Sequence, residues 1–325
     1  MLSEPRFLKA MQEFVININD AGQRLDKYLA KSFPNMPKSL AYKFIRTKII
    51  KVNRKRARPE MMLNEGDVVT SFAPYEFTEK TGDGLSFTRL NPRVRVVYED
   101  DDILLCDKPA GMSSVPDEKE TDDTLIDHVK AYLYKKGEYD PEKENSFVPA
   151  LCNRIDRNTG GIVIAAKNAA ALREINELIR RREITKKYLC VVHGTPEKRE
   201  ARLTAYVIKD PEENKVRVFD SDPGTANSRT MITGYRVLAE RGGLALLDVE
   251  LFTGRTHQIR AHMAHIGHPL LGDGKYGVNR DDKKLGYKYQ ALYSYFLKMK
   301  GKEYVIPPEK IWFVHDLFPE LSIKI

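Results

Sequence analysis

The residues best suited to chemistry lie in one stretch, Leu151-Cys152-Asn153-Arg154-Ile155-Asp156-Arg157-Asn158-Thr159-Gly160-Gly161-Ile162-Val163. An apolar segment runs into Asp156, a polar turn closes on two glycines, and a β-branched run follows. This places one carboxylate at the mouth of a strand-turn-strand. Arg154 and Arg157 flank it and give it a field that also attracts phosphate. An anionic carboxylate in a basic setting suits a nucleophile or base acting on a polyanion. Locally, the same residues also suit an Asx-turn or a simple arginine pair.

Four other features invite a chemical reading. His257, His262, His265 and His268 cluster near one another, but only the last three share close helical spacing, no acidic residue lies among the four, and HExxH is absent, so no metal site is expected. Arg255 follows Gly254 at the end of an apolar run, where a planar guanidinium could reach a carboxylate or phosphate. Tyr188 opens an apolar strand after two lysines and by itself reads as a core aromatic. Lys108 before Pro109 is either a phosphate contact or a strand-end cation.

The elements that must carry these residues begin with a basic segment. From Arg24 to Arg58 there are twelve Lys or Arg residues against one acid, Asp26, an asymmetry that points to nucleic acid. Leu25, Tyr28, Leu29 and Phe33 fall on one helical face, and Leu40, Ala41, Phe44 and Ile45 make a second stripe behind Pro37. Strand-like segments follow at 48–53 and 64–69. Residues 76–92, rich in Pro, Gly, Glu, Thr and Asp, read as an interdomain linker between a unit at 13–75 and a larger one at 93–325. In the larger unit, helical spacing is expected at 123–136 and from Asn168 to Arg182, with strands at 201–208, 215–219, 231–238 and 244–252. The fold class is therefore α+β: a small α/β unit, then a sheet-rich one.

A net charge of +8 favours an acidic partner. No run approaches the ~18 apolar residues that cross a bilayer, and residues 1–14 lack a signal-peptide core, so a soluble, cytoplasmic protein is expected. Cys106, Cys152 and Cys190 lie far apart in apolar contexts and read as core residues rather than a disulfide framework. Nothing demands an oligomer, so a monomer is expected.

The first unit resembles the S4-type RNA-binding domain: its opening "RLDKYL" stands at residues 24–29, and its "I..g.V.vNg" element is similar to Ile45 through Asn53. The second resembles the RluA-type pseudouridine synthases, specifically the larger RluC/RluD-like members that modify ribosomal RNA. Asn153 to Gly161 is similar to "HRLDxxTSG", Asp102 to Gly111 to "D..llvvnKPaG", Lys187-Tyr188 with Gly194 to "K.Y.a.v.G", Gly254 to Met263 to "GRtHQiRvHm", and Gly267 to Asp273 to "GhPi.GD". Asn153 stands in place of the usual His, Ile155 in place of Leu, and Gly160 where Ser is common.

The resemblance implies a mainly antiparallel catalytic domain and an isomerase that turns uridine into pseudouridine without cofactor or metal. It implies Asp156 as the catalytic carboxylate, Arg255 as its partner and Tyr188 as the residue stacking on uracil and assisting proton removal late in the reaction. The S4-like unit would grip RNA through Arg24, Lys38, Lys43, Arg46, Lys51 and Lys55, with Lys108, Arg154 and Arg157 around the pocket. Large-subunit (23S) ribosomal RNA is the expected target. A transfer RNA target, a non-catalytic S4-type RNA-binding protein and a metal-dependent RNA hydrolase are the alternatives. The target uridine would be flipped out of its stack.

Overall fold

A computed structural model describes residues 11–78, 82–117, 123–210, 212–213, 215–277 and 280–320. The N-terminal unit comprises β1 (Gln12–Val15), α1 (Leu25–Ser32), α2 (Lys38–Arg46), β2 (Ile50–Val52), β3 (Lys55–Arg56) and β4 (Val68–Ser71). Its strands form an antiparallel sheet in the order β1-β4-β2-β3. The apolar stripes expected on both helices point into one core with Ile50, Val52 and Val69, where Leu25, Tyr28, Leu29, Phe33 and Ile45 are buried.

The second unit contains β5 (Val96–Glu99), β6 (Ile103–Lys108), α3 (Leu125–Lys136), β7 (Ala150–Leu151), β8 (Gly160–Ala166), α4 (Ala169–Arg181), β9 (Thr185–His193), β10 (Glu200–Asp210), β11 (Lys215–Phe219), β12 (Arg229–Arg241) and β13 (Leu244–Leu251). It ends with α5 (Gln258–His265), α6 (Arg280–Lys284), β14 (Leu292–Met299), β15 (Lys302–Val305) and α7 (Trp312–Leu317). One sheet runs β11-β10-β12-β13-β9-β14-β8-β6-β5, with β15 beside β14 and β7 beside β8. Only the β14–β8 pair is parallel.

Both faces of this sheet are covered, and each has its own core. On one face α3 and α5 bury Leu125, Val129, Ile259 and Met263 against Tyr188, Cys190, Leu247 and Val249. On the other, α4 and α7 bury Ala171, Ile175, Phe313 and Val314 against Leu105, Ile164, Leu189 and Val191. The near-continuous apolar runs of β6, β8 and β9 follow from this double coverage. As expected, Asn168 caps α4, its Oδ1 accepting from Ala171 N–H at 2.8 Å.

Residues 76–92 do more than link. Gly82–Arg89 forms a 3₁₀ helix, and Phe87, fully buried, stacks near Tyr139 and Tyr134 beneath α3. The segment lacks periodicity because a single aromatic anchors it. The two units also touch through a polar seam. Asp20, fully buried, accepts from Asn145 Nδ2 at 2.7 Å and from Ser146 Oγ at 2.5 Å, while Asn19 accepts from Ala169 N–H at 3.1 Å.

Candidate active site

The Asp156 turn is clamped on both sides by residues distant in sequence. Its own carbonyl accepts from Thr159 N–H at 3.0 Å, closing the turn. Ser114 Oγ donates to Ile155 O at 2.9 Å, Gly111 N–H to Arg157 O at 2.9 Å, and Gln290 Nε2 to Thr159 Oγ1 at 3.2 Å. Lys108, fully buried, donates from Nζ to the carbonyls of Pro109, Met112 and Arg157 at 3.1, 2.6 and 2.9 Å. The expected phosphate contact at Lys108 is therefore corrected: its buried ammonium is directed at three backbone carbonyls around the turn.

The two glycines after the turn are required by packing. Gly160 and Gly161 lie opposite Tyr293 and Ser294, where β8 meets β14 in parallel. A Cβ on Gly160 would sit 2.4 Å from the Tyr293 ring, and one on Gly161, at φ +111°, 2.2 Å from the Ser294 carbonyl oxygen. Gly160 in place of the commoner Ser thus makes room for Tyr293, whose hydroxyl donates to Asp107 Oδ1 at 2.5 Å. Asn153, in place of the usual His, accepts the Ile164 N–H at 2.8 Å and ties the approach to the turn onto β8.

Arg260 of α5 is the partner of Asp156. Its Nη1 donates to Asp156 Oδ2 at 2.7 Å, while Nε and Nη2 grip Asp273 at 2.7 and 2.8 Å. Asp273 is fully buried and also accepts from the N–H groups of Lys275 and Tyr276. Burial would raise the Asp273 carboxyl, but the hydrogen bonds and charge of Arg260 and these N–H groups hold it below its usual range. The guanidinium is thereby oriented before it meets Asp156.

Arg255 does not pair with Asp156, contrary to the sequence expectation. Its Nε donates to Thr230 O at 3.0 Å. The reason lies in how α5 starts. Gln258 Nε2 binds Ile232 O and Thr233 Oγ1, its Oε1 accepts Arg255 N–H, and Thr253 Oγ1 bonds the same amide, so the chain is latched to β12. His257 then takes a left-handed conformation, φ +52°, which reverses the chain and presents Arg260, not Arg255, to the turn.

Tyr188 and His257 complete the surroundings. Tyr188 is buried opposite Ser294 on β14, with which it hydrogen bonds. Burial first, then the charge of Asp156, pushes its phenol up to about 12 despite the Ser294 bond, so it is neutral near pH 7. His257 Nε2 stands 3.9 Å from Asp156 Oδ2, and Nδ1 bonds the Tyr276 hydroxyl at 2.9 Å. Burial, aided by Arg260 and Lys275, outweighs Asp156 and lowers this imidazole to about 4, so it is neutral near pH 7.

The other histidines diverge to separate partners: His262 to Thr233 at 2.9 Å, His265 to Asp220 at 2.8 Å, and His268 to the carbonyl of His193 at 3.0 Å. Among the described residues no three potential ligands assemble. Burial lowers His262 from 6.5 to about 4. The folded state then binds fewer protons than the unfolded state, so the stability is fully present above pH 6.5 and is lost as pH falls towards 4, by about 3 kcal/mol. Urea titrations from pH 7 to 4.5 should show this fall, with a shallower slope in His262→Gln.

Of the expected RNA contacts, Lys38, Lys43, Arg46 and Lys55 are exposed on α2 and β3 or at their ends, and Arg154 and Arg157 are exposed beside the turn. Lys51 is half-buried with its ammonium 5.7 Å from the Phe72 ring centre, and Arg24 is bonded to Asp26 at 2.9 Å. Arg24 stays exposed beside Asp26, while Lys51 is partly withdrawn against Phe72. Sequence reasoning missed Arg260, Asp273 and Tyr276, and weighed His257 only as a metal ligand. Arg260 was legible only as a second arginine on the same short helix, and Asp273 as the acid closing the following Gly-Asp turn.

Comparison with known proteins matches this arrangement to two family models: RNA pseudouridylate synthase over residues 102–265, and the S4 domain over residues 23–69. An uncharacterized RNA pseudouridine synthase of Mycoplasma genitalium is 30% identical over 89% of this chain and 90% of its own length. Ribosomal large subunit pseudouridine synthase C of Vibrio parahaemolyticus is 30% identical over 86% of this chain and 84% of its own, and that of Escherichia coli 29% over 90% and 88%. Among solved structures, human RNA pseudouridylate synthase domain containing 4 shares the fold, at a TM-score of 0.54 and 21% identity, covering 68% of this chain and 90% of its own. The chain that carries this carboxylate turn thus belongs to the RNA pseudouridylate synthase family and is an RNA pseudouridine synthase with an S4 domain.

Proposed function

We propose that this enzyme isomerises uridines in large-subunit (23S) ribosomal RNA, with Asp156 attacking the sugar of a flipped-out nucleotide. The observation that carries the reading is the Asp156–Arg260–Asp273 chain: a partly exposed carboxylate fixed by a buried guanidinium, beside a neutral Tyr188. Names of the relatives from Vibrio and Escherichia support the ribosomal target.

The reaction breaks the C1′–N1 bond and forms C1′–C5. N1 gains a proton, and the hydrogen on C5 leaves to solvent. Atoms and electrons balance without an oxidant, so no cofactor is chemically required. Asp156 serves either by bonding C1′ as the base departs or by taking the proton at C2′. Arg260 holds it in place, Tyr188 stacks on the freed uracil, and His257 offers a neutral N–H at the pocket wall. The flipped base requires grip elsewhere, which the S4 unit at 13–75 supplies through Lys38, Lys43, Arg46 and Lys55, sequence-independently. Residues 93–325 carry the catalytic residues, and 76–92 join the two units while packing Phe87 into the catalytic core. Among the described residues no helix is long and apolar enough to cross a membrane, and a ribosomal RNA substrate is compatible with a cytoplasmic enzyme.

The test is tritium release from transcripts labelled at uridine C5. Release from large-subunit ribosomal RNA and not from transfer RNA is expected. Release from transfer RNA alone would reassign the substrate.

A further inference from the structure

On the sheet face away from Asp156 lies a second charged feature. Along β12 and β13 the side chains facing the active-site core are Tyr235, Leu247 and Val249, so Gly234, Arg236, Asp248 and Glu250, which alternate with them, project from the opposite face. The smaller of two contiguous grooves, of about 390 and 440 Å³, opens there, the larger lies at the ends of β9 and β13 beside it, and the two share Arg202, Glu250 and Phe252. The larger is lined by Arg182, Lys186, Arg202 and Arg255, and among the described residues none of these four forms an ion pair. Burial draws the Lys186 ammonium below its ordinary value with no carboxylate to oppose it.

The groove is built rather than incidental. Gly234, in mid-strand, lets the Phe252 ring lie on the sheet: a Cβ there would stand 3.1 Å from it. The Arg202 guanidinium in turn sits 4.2 Å over that ring and is held outward. Glu250 is the sole acid lining the larger groove. Unpaired cations converging on an open channel fit a phosphodiester backbone.

Two connections tie the groove to the rest of the enzyme. Residues 252–257 leave it and cross the strand ends into α5, whose Arg260 holds Asp156. At the other side α4 starts against the S4 unit, where Asn19 meets Ala169 and Arg173 Nη1 donates to Ala21 O at 3.3 Å, and its last turn reaches the groove at Arg180. Thirteen helical residues span about 20 Å, the reach of roughly six stacked nucleotides.

We propose that this groove is a second RNA-contacting surface, gripping the backbone of a strand that flanks the target uridine and runs along α4 from the S4 unit. The proposal rests on RNA as substrate, and its readout is independent of turnover. Binding of the full-length protein to a large-subunit ribosomal RNA fragment is measured from 50 to 300 mM KCl for the native chain, Arg182→Gln/Arg202→Gln, and a charge-matched control, Lys283→Gln/Lys310→Gln. The groove variant is expected to bind about tenfold more weakly near 150 mM salt and to show a salt slope smaller by about 1.4, or about 0.7 for each lost contact. The control should match the native slope, and tritium release at saturating RNA should be retained by both. A groove variant that binds like the control, with an unchanged melting temperature, would overturn the proposal and leave the groove to an acidic protein partner. A reduced slope in a protein that releases no tritium from any RNA would instead sink the catalytic reading and spare this one.

Discussion

Asp156→Asn is expected to release no tritium above background, a loss of more than about 10⁴-fold, while RNA affinity stays within about threefold. The amide keeps the shape and still accepts from Arg260, so binding and folding survive while the charge that attacks the sugar is gone. Arg260→Ala is expected to do two kinds of damage. It frees Asp156 from its orienting bond, lowering single-turnover rates by about 10²-fold or more. It also strands the fully buried Asp273 without its cation, which costs about 3–5 kcal/mol of folding stability. Arg260→Lys restores the charge but not the planar fork that spans two carboxylates, so it should recover stability only in part and activity less. Arg255→Ala, by contrast, should leave the single-turnover rate within about threefold of native, because its guanidinium faces Thr230 and the groove. Rates paired with thermal melts separate these cases. A rate collapse in Arg255→Ala with Arg260→Ala unaffected would sink the assignment.

The exchange of Arg255 for Arg260 shows what local pattern carries and what it omits. Periodicity was enough for α1 and α2, whose apolar stripes pack into one core, and it also located α4. Alternation found β10, β11, β12 and β13 to within two or three residues at each end, and the glycine pair marked the turn that carries Asp156. Where the chain reverses through a left-handed His257, a proximity argument along the sequence fails, because five residues in a reversed helix face a different wall. The latch that enforces the reversal joins Gln258 to Ile232 and Thr233, about twenty-five positions earlier. Likewise Phe87 gives no periodic signal, yet its burial makes the expected linker part of the catalytic core. The polar seam around Asp20 joins residues more than a hundred positions apart and has no local signature at all.

Lys108→Met is expected to cripple the enzyme through its fold rather than through RNA. Methionine matches the lysine stem in shape, so no large cavity opens. What is lost are three hydrogen bonds from a charged donor, taking the Lys108 bond from the carbonyls of Pro109 and Met112 and leaving the Arg157 carbonyl only the Gly111 N–H. An orphaned buried acceptor costs about 1–3 kcal/mol, and the three share one donor, so a loss of about 3–5 kcal/mol is expected rather than their full sum. The Arg157 carbonyl adjoins Asp156, so the turn loosens and the carboxylate drifts from Arg260. Activity should fall by about 10²-fold at temperatures where the protein remains folded, since misplacement by about 1 Å suffices for that. RNA affinity and its salt slope should be unchanged, because an ammonium with no exposure touches no phosphate. Chemical denaturation, single-turnover rates and a salt titration on the same preparation distinguish the roles. A stable variant whose salt slope drops by about one would return Lys108 to the RNA interface and remove it from the scaffold of the turn.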